Sequence, residues 1–133
     1  MTITFPASDE SLADATKFLE EQLELANATP KVAMQLGVAL EELFVNIAHY
    51  AYPEEKNGKL SLSIEFVENT IVMVFIDAGI PFNPLEREDP DITLAADERA
   101  IGGLGIFMVK ETMDSVEYKY ENGQNILTIK KKL

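Results

Sequence analysis

LEELFVNIAHYAY, residues 40–52, is the stretch around which the rest of the chain arranges itself. At 100° per residue, Val32, Leu36, Leu40, Leu43 and Ile47 fall on one apolar stripe of a helix. Glu42 and Asn46 are four residues apart and stack on a second stripe, with Ala39 before them and His49 after. The remaining side carries Met34, Val38, Val45 and Ala48, together with the charged Glu41. A carboxylate and an amide are therefore flanked by apolar residues on both sides. A buried polar group without a partner costs ~1–3 kcal/mol, so this pair needs partners. Either the two side chains satisfy each other or a neighbouring loop, or the helix forms the wall of a ligand cavity.

Working outward, Asn27-Ala28-Thr29-Pro30 punctuates the chain before this helix: Thr29 is its cap and Pro30 its first residue. Pro53 closes it after about Tyr50. Upstream, residues 2–5 alternate as a short edge strand that stops at Pro6. Ser8 is a fair N-cap for a first helix along Leu12, Ala15, Leu19, Leu23 and Ala26. Downstream, Asn57-Gly58 turns the chain into a half-exposed strand in which Leu60, Leu62, Ile64 and Phe66 alternate with Ser61, Ser63 and Glu65. Glu68-Asn69 makes the next turn. Residues 71–76 are continuously apolar and predict a central strand covered on both faces or nearly so, ending at Asp77-Ala78-Gly79.

Residues 80–101 have no usable period and hold three of the six prolines and six acids, the composition of a lid or binding loop. Gly102-Gly103-Leu104-Gly105 then opens a third helix through Ile106, Phe107, Val109, Lys110 and Met113. Val116, Tyr118 and Tyr120 alternate as a strand, Asn122-Gly123 turns it, and residues 126–129 return as its hairpin partner. The order β-α-α-β-β-loop-α-β-β predicts an α+β fold: a two-layer α/β sandwich with helices on one face of a mixed, mostly antiparallel sheet.

With 133 residues, 47% of them apolar, the chain predicts one domain, 1–133, with a genuine core. It has no apolar run long enough to span a membrane, and MTITFPASDE lacks the pattern of a signal peptide, so a cytoplasmic location is expected. The absence of cysteine excludes disulfides and thiolate chemistry, and a single histidine argues against structural zinc. A net charge of −12 argues against nucleic acid and anionic membrane as partners. An anionic small ligand would need backbone N–H groups, a few cations or a divalent metal to receive it.

Two further features carry chemistry. Three of the seven glycines lie within residues 102–105 at a helix start, where backbone N–H groups favour anions, although such a turn is often only a turn. The spacing matches neither a P-loop nor GxGxxG. Asp77 ends an apolar strand two residues before Gly79; its carboxylate either accepts from an exocyclic amine or caps the following turn. His49 has no serine or cysteine partner in view and reads as a packing or hydrogen-bonding residue near a pocket rim.

A helix with E-x-x-x-N (Glu42, Asn46), a strand running into D-x-G-x-x-F-N-P (Asp77, Gly79, Phe82, Asn83, Pro84), a polar lid and then G-G-x-G opening a helix together resemble the GHKL, or Bergerat-fold, ATP-binding domains. The resemblance runs from about Phe5 to Leu133. The short chain is most similar to the anti-sigma-factor serine kinases. That similarity implies ATP and Mg²⁺ as cofactors, with Asn46 holding the metal and Glu42 acting as the general base. It implies that Asp77 accepts from the adenine amine and that Gly79 gives the base room. Phe82 and Leu104 fall within the matched motifs as nucleotide contacts. Gly102, Gly103 and Gly105 would wrap the phosphates under a lid of residues 83–101. Arg99 is assigned a phosphate contact, and Lys110 is the other cation near the loop. Some members carry His four residues after the metal asparagine, where this chain has Tyr50.

The activity implied is a serine/threonine protein kinase that acts as an anti-sigma factor by partner switching. It would phosphorylate a STAS-type antagonist and sequester a sigma factor. The alternative is a nucleotide-gated binding module that transfers no phosphate. The apolar outer face at Met34, Val38 and Val45 is compatible with a homodimer.

Overall fold

Thr29 sets the start of the longest helix: its hydroxyl accepts from the Val32 N–H at 3.3 Å, with Pro30 next in the chain. A computed structural model describes residues 1–52, 57–86 and 103–133. In chain order the elements are β1 (Thr2–Pro6), α1 (Leu12–Leu25), α2 (Pro30–Tyr50), β2 (Lys59–Val67), β3 (Thr70–Asp77), α3 (Gly103–Thr112), β4 (Ser115–Glu121) and β5 (Gln124–Lys132), with short 3-10 turns at Asp9–Ser11 and Pro84–Glu86. This is the expected order. Every pairing of the five-stranded sheet β1-β2-β3-β5-β4 is antiparallel.

Both hairpins turn on residues with positive φ: Glu68 and Asn69 at 48° and 64°, Asn122 and Gly123 at 54° and 77°. That pair of left-handed conformations matches the twist of the flanking strands and fixes the register. Leu60, Leu62 and Ile64 of β2 thereby share a face with Ile71, Met73 and Phe75 of β3 and with Leu127 and Ile129 of β5. These residues form one core with the stripe Val32, Leu36, Leu40, Leu43 and Ile47 of α2. Phe44, also fully buried on α2, meets the Phe5 ring edge-on at 6.2 Å and ties β1 to that helix.

Two expectations are corrected. β3 is central but not covered on both faces: Ile71, Met73, Phe75 and Asp77 are buried, while Val72, Val74 and Ile76 are only half-buried. Their neighbours across the sheet, Ser63, Ser61, Thr128 and Ile126, give sideways shelter, which an apolar run in sequence does not distinguish from a second layer. Ser8 does not cap α1 with its side chain; its hydroxyl lies 3.4 Å from that of Ser11, and a 3-10 turn precedes the helix. The lid assigned to residues 83–101 falls mostly outside the described residues.

Candidate functional site

The site is built along α2. Glu42 and Asn46 project from successive turns of its second stripe, as the spacing requires. Asn46 is buried, at 5% exposure, and its Nδ2 donates to the backbone carbonyl of Glu42 at 2.6 Å. Its Oδ1 is buried without any hydrogen-bond partner. Neither the Glu42 side chain nor a described loop satisfies Asn46. The amide is satisfied on its donor side by its own helix, and its oxygen is left open. Gln35 Oε1, the other buried side-chain atom in this condition among the described residues, lies eleven residues earlier on the same stripe.

Glu42 reaches across to the start of α3. A Cβ at Gly105 would overlap the Glu42 carboxyl group, so the absence of a side chain at Gly105 makes room for the acid. Burial, and then the nearby charge of Glu41, push the Glu42 carboxyl above the usual carboxylate range. Gly103 is the first residue of α3. Gly102 and Arg99 lie outside the described residues, and so does the Leu104 side chain. Lys110 sits in the last turn of α3, about 10 Å along the axis from Gly103.

At the far end of α2 the chain from β3 packs against the helix terminus. Ile80 N–H donates to Ala51 C=O at 2.8 Å, and a Cβ at Gly79 would overlap that same carbonyl. Gly79 is thus demanded by a backbone crossing, a reason not visible in sequence. Asp77, 4% exposed, accepts on Oδ1 from Gly79 N–H at 2.9 Å and from Asn125 Nδ2 at 2.9 Å. The turn-capping role is therefore real, and both of these donors fall on one oxygen, Oδ1. Burial raises the Asp77 carboxyl above its ordinary value, against the lowering effect of the Asn125 and Gly79 hydrogen bonds. Phe82 places its ring 5.5 Å from that of Tyr50, joining this loop to α2 a second time. His49 lies outside the site, with Nε2 2.8 Å from both carboxylate oxygens of Asp9. That is a hydrogen-bonding role, as expected of it.

The residue that sequence reasoning missed is Asn125, buried at the start of β5 and directly opposite Asp77 in the β3–β5 register. Its only signal was a polar residue in phase with the inward-facing Leu127 and Ile129 of the same strand.

The unpartnered Asn46 oxygen fits a hard divalent cation, which takes oxygen ligands. No cluster of three acidic, His or Cys side chains that could cage a metal occurs among the described residues. A cation here would be held by Asn46 together with water and ligand oxygens, the usual arrangement for Mg²⁺.

These motifs and this fold recur in known proteins. Proteins named serine-protein kinase RsbW are 24% identical over 134 residues in Listeria monocytogenes, covering 98% of this chain and 85% of that one. In Bacillus subtilis the identity is 26% over 100 residues, covering 71% of this chain and 62% of the relative. The histidine kinase domain of a blue-light-activated histidine kinase from Erythrobacter litoralis superposes with a TM-score of 0.61 at 13% identity. It shares the fold over 97% of this chain, which spans 62% of that structure. No described helix is long and apolar enough to cross a membrane. The family model of the histidine kinase-like ATPase domain matches residues 5–131, from the first buried phenylalanine to the end of β5, and on that match the chain belongs to this GHKL-type family.

Proposed function

We propose that this protein is an ATP- and Mg²⁺-dependent serine/threonine protein kinase of the anti-sigma type. Its substrate would be a serine on a small STAS-type antagonist, and its regulated partner a sigma factor. The observation that carries this reading is a half-buried carboxylate, Glu42, set against Gly105 at the start of α3, with the open oxygen of Asn46 one helical turn away. The names of the relatives support the same reading.

Asp77 Oδ2 receives the amine of the base, and the N–H groups at the start of α3 receive phosphate oxygens. Glu42 accepts the proton as a serine oxygen attacks the terminal phosphorus, and the bond to the bridging oxygen breaks to release ADP. A carboxyl raised above its ordinary range is a better proton acceptor at neutral pH than an ordinary glutamate. Mg²⁺, when bound, neutralises charge on the phosphates. Asn46 contributes its oxygen to that ion and keeps its amide anchored to the helix.

The test incubates wild type and Glu42→Gln with γ-labelled ATP and candidate STAS proteins. Wild type labels a serine on one of them. Glu42→Gln lowers that rate by about two orders of magnitude or more, with ATP·Mg²⁺ affinity within a few-fold. Nucleotide binding without labelling of any candidate would make the protein a nucleotide-gated docking module instead.

A further inference from the structure

Asn125 has a full set of partners. An asparagine side chain offers two N–H donors and one oxygen with two lone pairs. Nδ2 donates to Asp77 Oδ1 at 2.9 Å and to Ile80 C=O at 2.8 Å. Oδ1 accepts from Phe82 N–H at 3.0 Å and from the Tyr118 hydroxyl. The amide is 4% exposed and cannot be turned over. Reversed, it would set its NH₂ against the Phe82 N–H and its oxygen against the Asp77 carboxylate. One side chain thus fixes three points of the loop leaving β3, at residues 77, 80 and 82, and braces them against β4.

We infer that Asn125 is the positioning residue of the nucleotide site: it offers the ligand nothing and acts through Asp77, engaging Oδ1 so that Oδ2 is the oxygen presented to a base amine. This rests on the nucleotide reading given above. Two consequences follow from the bonding. Without the Nδ2 donor, Asp77 is freer to rotate and binds a proton more readily, because a hydrogen bond to its charged form is lost. A protonated Asp77 presents a donor where an amine needs an acceptor. Among the described residues, the other titratable groups facing this knot are Tyr118 and Tyr120 from β4 and Glu86 from the following turn.

Asn125→Asp is the informative change, since it keeps an acceptor for Phe82 and Tyr118 but replaces both donors by a second acid. Asn125→Ser, smaller and uncharged, carries the test where the aspartate variant does not fold. Calorimetry from pH 5 to 8 with ADP and GDP, and a melting curve for each protein, give the readout. The inference expects ADP affinity at pH 7 to fall about tenfold. It also expects the acid-side loss of binding to move to higher pH, and the preference for ADP over GDP to narrow. A purely structural asparagine would lower the melting temperature without moving the acid limb. A folded variant that binds ADP as wild type does, with its acid limb in place, overturns the inference alone. Wild type that binds no adenine nucleotide overturns the nucleotide reading and this inference with it.

Discussion

At the Asp77 end of the site Asn125 uses every donor and acceptor it has within the protein, whereas at the Glu42 end Asn46 keeps a buried oxygen with no partner. Both are asparagines, both are about 95% buried, and both lie against a carboxylic acid or its backbone. The difference lies in what surrounds them. Asn125 sits at a strand start where two loop carbonyl and amide groups and a tyrosine converge. Asn46 sits one turn before the end of α2, where the neighbouring backbone groups are already paired along the helix. A saturated amide fixes geometry, and an under-bonded one waits for an outside partner, since burying an oxygen without one costs ~1–3 kcal/mol.

The largest effect should come from the under-bonded end. Asn46→Ala deletes the open oxygen and leaves a small apolar residue on the same stripe. ATP affinity measured with Mg²⁺ should fall by about a hundredfold, to the value measured in EDTA, where wild type and variant should agree. Wild-type affinity in the variant would place the metal elsewhere. Asp77→Asn sharpens the contrast from the other end. It turns an acceptor into a possible donor, and ATP affinity should fall at least about tenfold. The loss should be the same with Mg²⁺ and with EDTA, because this end meets no metal. A loss that vanished in EDTA would merge the two ends into one unit.

How far the sequence revealed this contrast depends on distance along the chain. The Glu42–Asn46 end was legible because both residues lie on one helix, and the stripes of α2 follow from spacing alone. The order of elements along the chain and both hairpin turns were legible for the same local reason. Asn125 was not, because its partners Asp77, Ile80 and Phe82 are more than forty residues away and only the β3–β5 register brings them together. The half-open outer face of β3 was misread because Val72, Val74 and Ile76 are as apolar as residues inside a second layer.

Gly79 tests whether the crowded end depends on its backbone crossing. Gly79→Ala would drive a methyl group into the Ala51 carbonyl, a backbone atom that cannot swing aside as a side chain would. Destabilisation of about 1–3 kcal/mol is expected in urea unfolding, the usual cost of overpacking. The Ile80 N–H should also exchange faster than in wild type, since its bond to Ala51 would stretch. An unchanged unfolding midpoint would mean that the loop can lift from the helix without cost.

The smallest effect concerns Glu42 as a stability element, and its sign runs against its catalytic value. Its carboxyl is raised in the folded protein, chiefly by burial and then by Glu41, so the fold disfavours the ionised form. A group raised in this way contributes stability below its ordinary value of 4.5, and that contribution is lost as pH rises through the folded value. Above that window wild type carries a carboxylate in a site that resists it, and Glu42→Gln does not. The variant should therefore melt higher than wild type at pH 7, and the gap should close when both are measured below pH 4.5. Glu42 is partly open to solvent, which screens the penalty, so the gain should be only about 1–2 °C. A variant that melts lower than wild type at pH 7 would mean that the carboxylate stabilises the fold, through bonds to the start of α3, and is not held there at a cost for the sake of catalysis.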